Sequence, residues 1–201
     1  LLIEYPELAE KIDNIVFIGT PHRGAPKGLA AILHGYDQQF VGGLVVDDAV
    51  ARDVIKNLPG TYALLPSVAY LDQLNRPLIS FDGTKATELL VNTFGFAITD
   101  NREFRDFLLG TEGRVEDREN ISMPHVVNGG LYGNALISQE KLESWEVPST
   151  IDVYNIVAVG EKTPERLLYR TVEEWDCTGG LGGATCREQE FLRPYVYFTQ
   201  Y

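Results

Sequence analysis

One stretch near the start of this chain decides its fold: Ile15-Val16-Phe17-Ile18-Gly19-Thr20-Pro21-His22-Arg23-Gly24-Ala25-Pro26. Its first four residues form a short, wholly apolar run rich in β-branched side chains, and the run stops abruptly at a glycine. A polar loop with glycine and proline follows. This pattern is typical of a strand that is buried on both faces of a parallel sheet and whose carboxyl end opens onto a site. The stretch therefore predicts an α/β protein.

A second stretch carries the same signature, residues 152–160 (Asp-Val-Tyr-Asn-Ile-Val-Ala-Val-Gly). About 130 residues separate the two predicted strands, far more than one crossover helix requires. In a parallel sheet, an insertion of that size lies over the carboxyl ends of the strands, where ligands bind. We therefore expect a large, mainly helical lid or cap.

The pattern of apolar residues, glycines and prolines divides the chain into three parts. Residues 1–24 hold the end of a helix and the first core strand, residues 25–150 form the lid insertion, and residues 151–201 hold the second core strand and an aromatic-rich hairpin. Asp100 and Asn101 are the candidate caps of one lid helix. The helices are expected within residues 1–11, 25–75, 84–90, 101–109 and 134–145, and the hairpin strands at residues 165–175 and 194–201.

Composition excludes several functions. The 29 acidic and 17 basic residues give a formal charge of −12, which argues against binding nucleic acid or anionic membrane surfaces. No apolar run approaches the ~20 residues of a membrane-spanning helix. We expect no metal and no cofactor. Compartment and oligomeric state stay open. Leu1 falls in a predicted helix and Tyr201 in a predicted strand, so we expect the chain to be the middle part of a larger enzyme.

The chain has two cysteines, Cys177 and Cys186, separated by a glycine-rich stretch. That stretch is flexible enough to close a loop, so a disulfide can form in an oxidising compartment. Two unpaired thiols flanking the tip of the hairpin are the alternative, and the sequence leaves both open.

Several motifs together resemble one family. Residues 1–8 (Leu-Leu-Ile-Glu-Tyr-Pro-Glu-Leu) and the strand and loop from Val16 to Pro26 resemble the region after the nucleophile elbow in lipase-like α/β-hydrolases. Residues 57–67 (Asn-Leu-Pro-Gly-Thr-Tyr-Ala-Leu-Leu-Pro-Ser) are similar to the lid segment of the lecithin–cholesterol acyltransferase-like branch. Residues 159–164 (Val-Gly-Glu-Lys-Thr-Pro) match the end of a later core strand in that branch. The resemblance implies a partial α/β-hydrolase fold with two parallel core strands.

The family implies a serine, an acid and a histidine, in that chain order. No serine of this chain stands in Gly-x-Ser-x-Gly. In the acyltransferase-like branch, the acid and the histidine follow the aromatic hairpin. The resemblance therefore implies that all three catalytic residues lie outside these 201 residues, and we expect none within them. Glu161, directly after the second core strand, is the internal candidate for the acid.

The remaining site residues are expected to shape the pocket. Gly19, Thr20 and Pro21 are predicted to form the loop beside the nucleophile. His22 is either a catalytic base or, as we favour, the donor or acceptor of a hydrogen bond that organises the loop. The apolar lid side chains either line an acyl-chain pocket or pack the lid onto the sheet. These side chains are Leu29, Ile32, Leu33, Leu44, Val45, Val46, Leu64 and Leu65.

The function expected from the resemblance is that of a serine hydrolase or O-acyltransferase acting on esters, foremost of lipids, through an acyl-serine intermediate. The 201 residues by themselves are expected to be inactive. Two alternatives stay open: a catalytically dead α/β-hydrolase-like module that binds a lipid or partner, and an esterase or amidase for small soluble substrates.

Overall fold

A computed structural model of the chain describes residues 1–38, 47–115, 120, 122–158, 160, 162–178 and 185–199, and, of residues 86, 174–178, 185–191 and 199, the backbone only. It mixes helices with two small sheets, which confirms the α/β class at this coarse level. The strands are β1 (Asn14–Ile18), β2 (Ile79–Phe81), β3 (Asp152–Ile156), β4 (Thr163–Thr178) and β5 (Thr185–Thr199). The α-helices are α1 (Pro26–His34), α2 (Asp48–Ile55), α3 (Pro59–Tyr62), α4 (Val68–Leu71), α5 (Glu88–Phe94), α6 (Asn101–Leu108) and α7 (Gly129–Glu143), with 3₁₀ turns at Pro6–Lys11 and Lys85–Thr87.

The first sheet contains the two strands that the sequence singles out. β1 and β3 are parallel neighbours, with Ile15 opposite Val153 and Ile18 opposite Ile156. The ladder continues by one bond past β1, because the amide of Gly19 donates to the carbonyl oxygen of Ile156 at 2.9 Å. The prediction of two parallel strands, side by side despite their distance in sequence, is confirmed.

The burial expected for these strands is not found in the described part of the chain. Val16, Ile18, Tyr154 and Ile156 lie at matching register positions on one sheet face, and each is more than half exposed. Ile15 and Phe17, on the other face, are half-buried. The apolar run reflects a strand suited to burial on both faces, but the helices of the described residues do not cover the first face.

The second sheet has the order β2-β4-β5. β4 and β5 form the predicted hairpin, and both strands extend closer to its tip than the aromatic pattern indicates. The sequence analysis missed β2, which runs parallel to β4 with Ile79 opposite Leu167. Only three residues long and preceded by Pro77, β2 is too short to show an alternating pattern.

The hydrophobic core lies between the helices and the second sheet. Leu29, Tyr62, Phe104 and Phe107 come from the helical segment, and Tyr169 comes from β4; all five are at most 1% exposed. Both the core and the pairing of β2 with β4 therefore cross the boundary expected at residue 150. The division into residues 1–24, 25–150 and 151–201 stays a prediction.

The helix ends follow local chemistry. Of the two candidate caps, Asp100 is the one that caps α6, because its carboxylate accepts a hydrogen bond from the amide of Glu103 at 2.8 Å. Asn128 caps α7 in the same way, so this helix begins five residues before the expected position 134. Its first two residues, Gly129 and Gly130, have low helix propensity. Before β1, only the 3₁₀ turn Pro6–Lys11 forms where a longer helix was expected.

Across the described residues, no helix combines the length and the apolar character that crossing a bilayer would require.

Candidate functional site

The candidate site lies at the carboxyl end of the parallel pair. Gly19 leaves β1 with a φ of 57°, a left-handed conformation that suits glycine. The chain then turns tightly, because the amide of His22 donates to the oxygen of Thr20 at 3.0 Å and the amide of Gly24 donates to that of Pro21 at 3.0 Å. We call residues 19–25 the strand-end loop. Gly19, Thr20 and Pro21 are exposed on its outer side.

A second segment, residues 63–67, packs against this loop, and we call it the strap. The amide of Ala25 donates to the oxygen of Leu64 at 2.9 Å, and the amide of Ser67 donates to the oxygen of Arg23 at 2.9 Å. The approach is closest at Gly24, where a Cβ atom would lie 2.1 Å from the carbonyl oxygen of Leu65. The structure thus brings together the two segments from which the sequence analysis drew its pocket residues.

The two strap leucines have different environments. Leu65 is 1% exposed and belongs to the core with Leu29, Ile32 and Leu33, whereas Leu64 is 41% exposed. The four buried side chains therefore form part of the hydrophobic core. Of the five, only the side chain of Leu64 is available to a ligand. Leu44, Val45 and Val46 lie outside the described residues.

Helix α7 holds the strap in place through polar contacts that the sequence analysis missed. The Gln139 side-chain nitrogen donates to the oxygen of Leu65 at 2.7 Å and to that of Ala63 at 3.4 Å. The Ser67 hydroxyl donates to the Glu143 carboxylate. A signal was present in the sequence: Gln139 follows Tyr132 and Ala135 at helical spacing on the buried side of α7.

The three histidines occupy different surroundings. His22 is half-buried, and its ring meets that of Phe17 edge-on, with centroids 4.3 Å apart. Its Nε2 atom is buried and has no hydrogen-bond partner among the described residues. His34 contacts the Tyr169 hydroxyl at 2.7 Å in the core, where burial raises the pKa of that tyrosine. His125 is buried, and its amide donates to the oxygen of Leu33 at 3.0 Å.

The structure leaves the internal acid candidate untested. Glu161 lies outside the described residues, next to Gly160, which has a φ of 94°. Ser67 is buried, and its oxygen caps α4 by accepting from the amide of Tyr70 at 3.3 Å, so its hydrogen bonds serve the fold. In the described ranges, no group of three or more His, Cys, Asp or Glu side chains could hold a metal ion.

Asp82 is a further carboxylate that directly follows a parallel strand, β2. It was not predicted as a site residue, because β2 itself was not predicted. Asp82 accepts hydrogen bonds from the Thr84 amide at 3.1 Å and from the Thr171 amide at 2.8 Å. Partial burial opposes its ionisation, but these bonds and those from the Thr84 and Thr87 hydroxyls outweigh burial and lower the pKa of Asp82. Its oxygens are thus engaged in the turn after β2.

A cleft of about 430 Å³ opens elsewhere, between the end of α4 and the start of α6. Its wall includes Leu78, which precedes β2, so the cleft lies at the amino end of that strand. Ligands of α/β sheets bind at carboxyl ends, and the strand-end loop takes no part in this cleft. We therefore place the candidate site at the loop. The cleft is lined by Leu71, Asp72, Leu74, Asn75, Arg76, Pro77, Leu78, Ile98, Thr99, Asp100 and Asn101.

The two cysteines stand directly opposite one another in the pairing of β4 with β5. Their side chains lie outside the described part of the structure, so the disulfide stays a prediction at this point.

Comparison with known proteins gives no match: no family model, no curated protein and no solved structure corresponds to this chain.

Proposed function

We propose that this chain supplies the core strands and lid of an α/β-hydrolase-type enzyme that transfers acyl groups from lipid esters to water or an alcohol. One observation supports the proposal most: the Gly19-Thr20-Pro21 turn stands at the shared carboxyl end of two parallel strands, with the strap packed on the loop behind it. That is the place where α/β sheets bind ligands. The motif of residues 16–26, which resembles lipase-like α/β-hydrolases, includes the strand-end loop, and the motif of residues 57–67, which resembles the acyltransferase-like branch, includes the strap.

In the proposed enzyme, the serine, acid and histidine lie outside these 201 residues, as the resemblance implies. The serine attacks the ester carbonyl, backbone N–H groups stabilise the oxyanion, and the acyl group passes to the acceptor. The chain described here shapes the site. The strand-end loop forms one wall, and the exposed side chain of Leu64 offers an apolar contact to the acyl chain.

The first test concerns the nucleophile. The longest polypeptide that the natural reading frame encodes is treated with a fluorophosphonate probe, and the labelled peptide is sequenced. We expect a labelled serine outside residues 1–201 and hydrolysis of p-nitrophenyl esters, whereas residues 1–201 alone neither label nor turn over ester. Absence of labelling in the longer polypeptide would favour the catalytically dead binding module. Labelling of a serine within residues 1–201 would overturn the assignment of the site.

The second test concerns the substrate class. In the longer polypeptide, we expect Leu64→Asp to lower kcat/KM at least about tenfold for a long-chain ester, because it removes apolar contact, and to leave the acetate ester unaffected. Leu58→Asp is the matched control, since Leu58 is 48% exposed and lies outside the strap. An equal effect of Leu64→Asp on both esters would favour the small-ester esterase.

A further inference from the structure

The hairpin of β4 and β5 changes character along its length. Near its base it is part of a three-stranded sheet, because β2 pairs with Leu167, Leu168 and Tyr169 of β4. The turn after β2 adds a hydrogen bond, which the Thr171 amide donates to Asp82. Beyond Thr171, β5 is the only described strand that pairs with β4. This pairing continues to Thr178 opposite Thr185. The outer part of the hairpin is thus a two-stranded ribbon.

A two-stranded ribbon is marginally stable in water, because it has no third strand and few packing contacts to offset the entropy of ordering. A constraint near the tip would stabilise such a ribbon by reducing the entropy lost when it orders. A covalent link between opposed residues is the strongest constraint available.

The register provides such a pair. Cys177 stands directly opposite Cys186, one step before the last pair of the ladder. Directly opposed residues of antiparallel strands have Cα atoms about 4.5 to 5.5 Å apart. A disulfide requires Cα atoms about 4.4 to 6.8 Å apart. The register therefore satisfies the Cα distance that a disulfide requires. Residues 1–201 hold no other cysteine, so within them no other pair competes.

We propose that Cys177 and Cys186 form a redox-dependent disulfide that fixes the outer ribbon when oxidised and releases it when reduced. Glutathione disulfide is a sufficient oxidant. One cysteine thiolate attacks a sulfur of glutathione disulfide and expels a glutathione thiolate, and the second cysteine thiolate then attacks the mixed disulfide and expels another. One sulfur–sulfur bond forms and one breaks, and each protein thiol loses its proton to solvent.

The test uses the 201-residue chain in buffers of reduced and oxidised glutathione. The oxidised monomer is expected to lose the mass of two hydrogen atoms, and peptide mapping is expected to link Cys177 to Cys186. Backbone amides of residues 172–178 and 185–191 are expected to exchange at least about tenfold more slowly in the oxidised form, because a fixed ribbon opens less often. Amides of α7 are expected to exchange at the same rate in both forms.

Two variants separate register from simple proximity. Cys186→Ser removes the link and is expected to show the exchange of the reduced form at every glutathione ratio. Cys186→Ser combined with Arg187→Cys keeps two cysteines but moves one to the next position, on the other side of the strand. We expect its intramolecular disulfide to form at least about tenfold more slowly than the native one.

Three results would overturn the proposal. The first is that the displaced pair oxidises as readily as the native pair, which would mean that loop flexibility alone brings the thiols together. Intermolecular dimers without an intramolecular disulfide are the second. The third is unchanged amide exchange in the ribbon on oxidation, which would remove the stabilising role.

Discussion

The side chain of Gln139 donates a hydrogen bond to the backbone oxygen of Leu65 at 2.7 Å, joining positions 74 residues apart in sequence. Gln139 is itself buried, on the inner face of α7. Through this bond the helix fixes the strap, and through the strap it fixes the strand-end loop. The position of the candidate site therefore depends on a residue far from it in sequence.

Replacing this glutamine is expected to destabilise the protein. Gln139→Leu keeps much of the volume but leaves the oxygens of Ala63 and Leu65 without their donor, and an unsatisfied buried acceptor costs about 1–3 kcal/mol. Urea denaturation measures the change in unfolding free energy. The control is Gln73→Leu, since Gln73 is exposed and accepts from Arg23 at 2.8 Å. We expect the control to change stability by less than about 0.5 kcal/mol; equal losses in the two variants would contradict the role of Gln139.

Gly24 is expected to tolerate no larger residue. In Gly24→Ala, the new Cβ atom would overlap the Leu65 oxygen, and the φ of 83° is itself unfavourable for alanine. The conformational cost is about 1–2 kcal/mol, and moving the strap away adds to it. Gly60→Ala is the matched control, because a Cβ atom there meets nothing within 4 Å and the residue lies in α3. Thermal and urea unfolding should show a loss for Gly24→Ala and none for Gly60→Ala.

Asp82 is expected to make stability depend on acid pH. Its pKa is lower in the folded chain than its ordinary value, so the folded state favours the carboxylate. This stabilisation is fully present above the ordinary pKa, near 4, and is lost as pH falls through the folded pKa. In the Asp82→Asn variant, the side chain at this position is a neutral amide that cannot ionise. The unfolding free energies of Asp82→Asn and of the wild type should therefore differ more at pH 7 than at pH 3. The difference is expected to stay below about 1 kcal/mol, because Asp82 is largely exposed and solvent screens it. A difference in unfolding free energy between Asp82→Asn and the wild type that does not change with pH would contradict this explanation.

The open face of the first sheet is expected to promote association. This face is a contiguous apolar patch formed by Val16, Ile18, Tyr154 and Ile156. Exposed apolar patches promote association in water. Ile156→Lys removes one contact worth about 1.5–3 kcal/mol when buried, so association should weaken about tenfold or more. Sedimentation velocity measures the association.

Ile137→Lys on α7 is the control for that experiment. Ile137 is 55% exposed and Ile156 is 54% exposed, so the two substitutions add the same charge to equally exposed isoleucines. If both variants reduce association to the same extent, net charge rather than the sheet face is responsible. A wild-type chain that stays monomeric at high concentration would also contradict the prediction.

Local pattern was sufficient where an element carries its own signal. β1 and β3 show apolar runs that end in a glycine, and the hairpin shows its aromatic strands, so all were predicted. Asp100 and Asn101 were the two candidate caps because short polar side chains before a helical segment accept from its exposed amides, and the structure selects Asp100. β2 was missed because three residues are too few to show the alternating pattern of a strand. It is a strand only because β4 pairs with it.

The sequence by itself determined the α/β class, the two apolar strands β1 and β3, and the hairpin, since the signal of each element lies in residues close together in the chain. Tertiary structure decided the rest. It placed the core between the helices and the second sheet, left one face of the first sheet exposed, and joined the strap to the strand-end loop. These features depend on contacts between distant segments, such as Gln139 with Leu65 and Gly24 with the strap. The free energy of such contacts depends on packing geometry that no local pattern of residues encodes.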